Sequence, residues 1–387
     1  MSRDLAIFLS GYGKGGVERM LVRLALGFAR ERGLAVDFLV PKGELPYVEQ
    51  LETHVRVFRH ERDDPAGQLQ AYLECERPAR LVTGKPEDEA LAVGVLTRAG
   101  LEVPLYCRIG VPQLHRVRQR SRNPLRRWWL RRRLRATYRN VDGFLVVSRA
   151  TGDELTGPLG VAPERVHVLP NPVIDDDLYA AAAAPCPHPW LEDGGAPVIL
   201  GVGGFRRQKD FPTLIRAFAA VRARRPVRLV ILGEGRQRQR MERLIRRLGV
   251  QDDVALPGFT DNPYAYMRRA ALFALSSRWE GQPNVLIEAM ALGTPAVATD
   301  CVSGPRDILG DGRFGALAPV ADPQALAQAI EKTLASPPSP AVLREAVSDY
   351  TLTASAEAYA LALGLGARDS RAGPARSSIR RTSVPGH

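Results

Sequence analysis

Ser277-Arg-Trp-Glu280-Gly-Gln-Pro-Asn-Val-Leu-Ile-Glu288-Ala-Met-Ala-Leu-Gly-Thr-Pro-Ala-Val-Ala-Thr-Asp300 reads as the end of a strand, a loop, a helix and a second strand. The apolar run 272–275 enters it, the helical stretch 283–291 follows, and the run 295–299 closes it. Two strands joined through a helix form a parallel crossover, the unit of a doubly wound α/β sheet. Pro283 suits a first helical position, where its missing N–H costs nothing. The N–H groups of Asn284, Val285 and Leu286 then face the loop. With the helix dipole they make an anion site suited to a diphosphate. Glu288 lies more than one turn into the helix, where a carboxylate accepts hydrogen bonds from a ribose diol. Glu280 precedes the helix and reaches the opposite end of such a ligand.

The alternation extends on both sides. Strands are expected at 198–202, 228–232 and 254–256, with helices at 212–224, 237–248, 262–270 and 323–335. Upstream, strands are expected at 5–10, 36–40, 55–58, 80–83, 105–109 and 143–148, with helices at 16–31 and 88–99. Between them, 170–197 breaks the pattern with Asn-Pro, Asp175-Asp-Asp177, an Ala run and Pro185-Cys-Pro-His-Pro189. With 387 residues, two domains are expected. They are a Rossmann-like domain at 1–172, a linker at 173–196 and a second Rossmann-like domain at 197–365. A last helix at 353–364 returns toward the first domain, and a disordered tail fills 366–387. Each open sheet binds ligand outside the carboxyl ends of its strands. Two such edges facing across a cleft suit transfer between two bound molecules.

Three other stretches carry candidate ligand contacts. Gly201-Val-Gly-Gly-Phe-Arg-Arg-Gln-Lys209 runs from a strand into a glycine loop, where backbone can approach phosphate and Lys209 can neutralise a leaving group. Gly11-Tyr-Gly-Lys-Gly-Gly-Val-Glu-Arg-Met20 joins the first strand to the first helix. Alone it is compatible with a dinucleotide fingerprint, but Asp37 sits within the next strand and not at its end. Leu232-Gly-Glu234-Gly and Pro257-Gly258-Phe259 each end a strand of the second domain. Asp175-Asp-Asp177 superficially matches a carboxylate metal signature, but it lies in the linker and reads as a solvated turn.

The stretch 277–300 closely resembles glycosyltransferase family four, whose hallmark is two glutamates separated by seven residues, here Glu280 and Glu288. The resemblance is dense over 198–308 and thin in the first domain. It implies the GT-B fold, with the acceptor bound by the domain at 1–172, the nucleotide-sugar by the domain at 197–365, Glu280 beside the transferred sugar and Glu288 on the ribose. Lys209 matches the family's diphosphate-binding lysine in its Gly-Arg-Leu-x-x-x-Lys motif. The arginine of that motif falls on Gly204, so Arg206 or Arg207 would supply its charge from a shifted position. Gly15 and Gly16 match a glycine loop laid against the diphosphate from the first domain. Glu234, Gly258 and Phe259 match segments near the base. Gly110 occupies the family's usual histidine position, and His115, five residues on, reads as a surface histidine.

The formal net charge is +12, and no Asp or Glu occurs between Pro104 and Val141. Twelve arginines lie there: Arg108, Arg116, Arg118, Arg120, Arg122, Arg126, Arg127, Arg131, Arg132, Arg133, Arg135 and Arg139. Trp128, Trp129 and three leucines are interleaved. From Arg116 to Arg139 this is the pattern of a basic amphipathic helix on an anionic membrane surface. An arginine-biased surface helix and a nucleic-acid site are the rival readings, and nucleic acid is not expected as a partner. The four cysteines form no Cys-x-x-Cys pair, which argues against a disulfide framework or zinc site. No apolar run approaches the ~20 residues of a membrane span. The chain is expected in the cytoplasm, peripheral on the inner face of the cell membrane.

By resemblance the reaction is retaining transfer of a hexose or N-acetylhexosamine from a nucleoside diphosphate sugar, with UDP-sugars foremost. The acceptor implied is a lipid-linked saccharide or surface polysaccharide. The cationic site implies no metal and no cofactor beyond the nucleotide-sugar. Two alternatives are a non-hydrolysing UDP-sugar epimerase, which would need no acceptor, and a basic module binding nucleic acid or lipid.

Overall fold

The structure, a computed structural model, describes residues 3–13, 15–121, 123–191 and 195–366. Lys14, Arg122 and the expected tail from 367 onward lie outside the described residues. The first half runs β1 (Leu5–Phe8), α1 (Gly16–Arg32), β2 (Val36–Pro41), β3 (Arg56–His60), α2 (Pro65–Glu76), β4 (Leu81–Thr83) and α3 (Pro86–Ala99). It continues through β5 (Leu105–Ile109), α4 (Gln113–Arg120), α5 (Pro124–Arg139), β6 (Gly143–Val146), α6 (Arg149–Thr156) and β7 (Val166–Val168). The second half opens with α7 (Asp176–Ala183), β8 (Val198–Val202), α8 (Phe211–Arg222), β9 (Arg228–Leu232), α9 (Arg238–Arg247), β10 (Val254–Gly258), α10 (Tyr264–Arg269) and β11 (Leu272–Leu275). It closes with α11 (Asn284–Ala291), β12 (Ala296–Thr299), α12 (Pro305–Ile308), β13 (Leu317–Ala318), α13 (Pro323–Ala335), α14 (Pro340–Ala346) and α15 (Leu352–Ala362).

Both sheets are parallel. Their orders are β3-β2-β1-β4-β5-β6-β7 and β10-β9-β8-β11-β12-β13. In each, the order reverses beside the first strand of the half, between β1 and β4 and between β8 and β11. A doubly wound sheet opens a crevice at that switch point, because the helices on either side of it leave in opposite directions. The central strands read as continuous apolar runs, as sheets covered on both faces require. Strands β1 and β11 are buried along their whole length.

The expected linker is more ordered than its composition implied. Asp175 caps α7 by accepting from the Leu178 N–H (3.0 Å), the usual use of Asp before a helix. Val173, Ile174, Leu178, Ala182 and Leu191 enter the core of the second half. The Asp175 carboxylate also pairs with Arg23 of α1 at 2.7 Å, so it is a bridge between the halves and not a solvated turn.

The last helix, α15, crosses back and packs on α1, where Ala356, Tyr359, Ala360 and Leu363 complete the first half's core. Gly27 permits this contact: a Cβ there would stand 2.9 Å from that of Ala356. The two crossings run side by side, since the Val173 and Ile174 N–H groups donate to the Tyr350 carbonyl and Leu352 N–H donates to Ile174.

Helix α5 is held by its end and by a few arginines. Asn123 caps it and Tyr138 alone is buried among its residues. Trp128 and Trp129 are 61 % and 52 % exposed, with Arg132 and Arg133 over their rings. The charge is not all free for a partner: Arg131 and Arg135 donate to the Pro158 carbonyl and Arg127 to that of Ser121. Arg108 belongs to β5 and is buried. No helix among the described residues is long and apolar enough to cross a membrane.

Candidate functional site

In the second half, the loop after β8 brings Lys209 to the loop after β11. Lys209 Nζ lies 2.7 Å from Glu280 Oε1. Ser277 Oγ donates to the same oxygen (2.6 Å), and Gln208 Nε2 donates to Oε2 (3.3 Å) and to the Trp279 carbonyl (3.0 Å). Gly203, at φ 151°, lets the lysine stem lie across the backbone; a Cβ there would stand 2.9 Å from Lys209 Cε. The ammonium and the carboxylate are therefore both fixed before any ligand arrives, which is the preorganisation that electrostatic catalysis needs.

Glu288, on α11, is 4 % exposed. Tyr264 donates to its Oε1 (3.2 Å), and Arg19, from α1 of the other half, lies 3.9 Å away and also donates to Tyr264. Burial pushes the Glu288 carboxyl up, against the opposing pull of Arg19 and Arg23. Arg19 and Tyr264 did not figure among the sequence candidates. The signal for Arg19 was present in Gly15-Gly-Val-Glu-Arg19, where a position in the first turn of α1 aims it at the cleft.

The amide cradle differs from expectation. Leu286 N–H donates to the Pro283 carbonyl (2.9 Å), because the first turn of α11 closes tightly behind the proline. Leu286 is thus unavailable to an anion and its side chain is core. The cradle shortens to Asn284 and Val285. Asn284 Oδ1 accepts from Asn171 Nδ2 (3.1 Å), a residue of the crossing between the halves.

In the first half, Gly15 is the N-cap of α1 and Gly16 its first residue, and both are exposed. Glu18 folds back to accept from Gly13 N–H (3.0 Å) and pairs with Lys85 (2.7 Å), whose ammonium holds the carboxyl below its ordinary range against the effect of burial. Gly204 lies against the stem of Arg206, and both Arg206 and Arg207 are exposed. Arg207, with Arg240 and Arg278, lines a hollow of about 410 Å³. Glu234 and Gly258 are neighbours at the ends of β9 and β10, and Phe259 beside them is 74 % exposed. Glu234 accepts from Arg238 (2.5 Å).

His115 is not a free surface histidine. Its ring stacks on Trp279 at 5.5 Å, and burial, aided by Arg118, lowers its pKa. Helix α4 thereby touches the loop that carries Glu280. Close by, the halves meet backbone to backbone: a Cβ on Gly281 would stand 1.7 Å from the Gly110 carbonyl oxygen. Gln282 accepts from Asn171 N–H (2.7 Å) and donates to Val147 (3.1 Å). Asn171 also accepts from buried Arg108 (2.8 Å). Ser148 and Ser303 share a hydrogen bond (2.5 Å), and Arg149 pairs with Asp307 (2.7 Å).

Comparison with known proteins places two family models on the chain. Residues 14–177 match "Glycosyltransferase Family 4" and residues 187–349 match "Glycosyl transferases group 1". A transferase of Campylobacter jejuni, named N-acetylgalactosamine-N,N'-diacetylbacillosaminyl-diphospho-undecaprenol 4-alpha-N-acetylgalactosaminyltransferase, is 34 % identical over 51 % of this chain and 52 % of its own length. The MMP alpha-(1->4)-mannosyltransferase of Mycolicibacterium hassiacum is 28 % identical over 67 % of this chain and 66 % of its own. The chain spans about half the length, or less, of the curated relatives it matches first (52 %, 43 % and 40 %). Among solved structures, Anabaena HepE in complex with UDP has a TM-score of 0.74 at 17 % identity, covering 94 % of this chain and 100 % of that one. The galactosyltransferase WaaB gives 0.71 at 16 %, over 93 % and 99 %. These likenesses establish the fold as GT-B.

Proposed function

The chain belongs to glycosyltransferase family four, and from that premise we propose that it transfers a hexose or N-acetylhexosamine from a UDP-sugar to a lipid-linked saccharide or a surface polysaccharide, with retention at the anomeric carbon. The observation that carries this reading is the Lys209–Glu280 pair at the switch point of the second sheet. A diphosphate lying between the loops would meet the Lys209 ammonium and the open end of α11. The bond from the anomeric carbon to the diphosphate oxygen breaks, and the acceptor hydroxyl oxygen forms the new one. The leaving oxygen takes the acceptor's proton on the same face. Lys209 stabilises the charge that develops on that oxygen. Glu280, held by Ser277 and Gln208, orients the sugar. Glu288 accepts from the ribose diol, and Asn284, Val285, Gly15 and Gly16 supply backbone against the phosphates. Glu234, Gly258 and Phe259 lie toward the base. The donor assignment draws on HepE, solved with UDP and with UDP-glucose. The acceptor class draws on the relatives named for diphospho-undecaprenol and lipopolysaccharide substrates.

A panel of nucleotide-sugars tests this directly. A ligand specific to the folded state stabilises it by about 2.7 kcal/mol at one hundred times its Kd, so UDP-sugars are expected to raise the melting temperature. Glu288→Ala is expected to abolish that rise while the ligand-free protein still melts cooperatively. Stabilisation by no nucleotide-sugar, or an equal rise in Glu288→Ala, defeats the reading. Conversion of a UDP-sugar with no acceptor present would favour an epimerase.

The same reading puts the enzyme on the inner face of the membrane, docked through α5. The exposed Trp128 and Trp129, with arginines over their rings, support it, and each arginine near an anionic surface adds about 1 kcal/mol. Sedimentation with vesicles containing anionic lipid should fall at least tenfold in the Trp128→Ala/Trp129→Ala double variant and in high salt. Equal binding to neutral vesicles would show that α5 is an ordinary surface helix.

A further inference from the structure

Arg108, next to last in β5, is 4 % exposed. Among the described residues no carboxylate pairs with it, and burial pushes the guanidinium below its ordinary range. Its Nη2 donates to Asn171 Oδ1 (2.8 Å), while Nε and Nη1 have no hydrogen-bond partner. Gly110 leaves room for it: a Cβ there would stand 2.9 Å from Nη1. A buried cation with a single hydrogen bond is costly, and an apolar side chain of similar volume would serve stability at least as well. The one bond that Arg108 makes therefore calls for a reason other than stability.

That reason lies in what the bond orders next. A guanidinium has donors only, so Asn171, itself buried, must turn its oxygen toward Arg108. Its NH2 group then faces the other way and donates to Asn284 Oδ1 (3.1 Å). Asn284 is half-buried and opens α11. With its oxygen taken, its NH2 group is what that side chain has left for a ligand. Asn171 also holds the other flank of Pro283: its backbone N–H donates to Gln282 Oε1 (2.7 Å), and Gln282 Nε2 donates to the Val147 carbonyl (3.1 Å), just after β6. The open end of α11 is thus oriented from the first half.

We propose that Arg108 and Asn171 are positioning residues that turn the Asn284 side chain so that its NH2 group donates to the donor's diphosphate. The chemistry fixes the sense of the arrangement. A diphosphate offers acceptors and, when ionised, no donors. An Asn284 oxygen turned toward it would set two acceptors against each other where a charge-assisted hydrogen bond belongs. Because Arg108 and Asn284 lie in different halves, the turn is enforced only while the halves are together, so the full grip on the donor comes with their apposition. The inference rests on the transferase reading and adds to it the residues that orient one donor contact.

The test uses the full chain with UDP as the probe, its affinity measured by calorimetry. Asn171→Asp keeps an acceptor for Arg108 but has no N–H to give, so Asn284 must donate to it and turn its own oxygen to the phosphates. UDP affinity is expected to fall by about tenfold or more. The ligand-free melting temperature should not fall, since buried Arg108 gains a carboxylate, whereas the same substitution should lower it in an Arg108→Met background. In an Asn284→Ala background Asn171→Asp should change UDP affinity by less than about twofold; a mere change of charge near the phosphates would act equally in both backgrounds. In wild-type protein carrying isotope-labelled asparagine, the Asn284 NH2 resonance, identified by its loss in Asn284→Ala, should shift on saturation with UDP. Undiminished affinity in Asn171→Asp, an equal loss in the Asn284→Ala background, a melting temperature lowered equally with and without Arg108, or an Asn284 resonance unmoved by bound UDP would each overturn the relay and leave the transferase reading standing. Failure of UDP and every nucleotide-sugar to bind the wild-type protein would remove both.

Discussion

Lys209→Ala is expected to slow sugar transfer by about 10²–10³-fold, the loss seen when one preorganised charge stabiliser is removed from a transition state (about 3–4 kcal/mol). The effect should fall on kcat, because the charge on the leaving oxygen is greatest after the bond to the sugar has begun to break. The substitution also leaves Glu280 without its 2.7 Å partner. Ser277 and Gln208 still hold that carboxylate, so the fold should survive and the loss report on chemistry. Steady-state kinetics with both substrates varied, alongside a melting curve, separates the two. A variant with normal kcat would mean that the ammonium serves only Glu280.

Gly281→Ala is expected to be the most disruptive single methyl addition in the cleft. The new Cβ would stand 1.7 Å from the Gly110 oxygen, far inside contact distance, and the atom in its way is backbone, so no side-chain rotation relieves it. Either the halves part or one loop shifts. Both outcomes carry Glu280, one residue away, off its position relative to the first half. A misplacement of about 1 Å costs on the order of 10²-fold in rate. Small-angle scattering should show the altered apposition while circular dichroism stays native. An alanine variant with wild-type turnover would show that the halves need not meet here during catalysis.

The fold was legible because both crossover series announce themselves twice over, through apolar runs of strand length and through glycine or proline at their carboxyl ends. The loops of Lys209 and Glu280 were legible for the same reason, since a switch point is fixed by strand order once the crossovers are known. What was hidden lies in contacts between elements distant in the chain. Arg19 reaches Glu288 from 269 positions upstream, by the difference of their numbers. His115 stacks on Trp279. The Gly15–Arg19 run could have pointed Arg19 at the cleft, but nothing in local composition names the partner of either residue. The reading of the aspartate triplet as a solvated turn misled for the opposite reason: Asn-Pro and consecutive aspartates signal chain breaks, but an aspartate is a helix cap when a short apolar face follows, as Asp175 is before Leu178 and Ala182. Leu286 shows the limit of cap reasoning, because whether an early amide is open depends on how tightly the first turn winds.

The placement of α15 has a bearing on how the polypeptide acquires this architecture. Ala356, Tyr359, Ala360 and Leu363 belong to the hydrophobic interior around α1, whose residues are translated more than three hundred positions earlier. As it emerges from the ribosome, the amino-terminal sheet must therefore wait, with the apolar groove of α1 uncovered, until the whole carboxy-terminal sheet has been synthesised. The first half is not a contiguous length of chain, and cutting at the midpoint yields one fragment missing its clasp and another bearing an orphaned apolar helix.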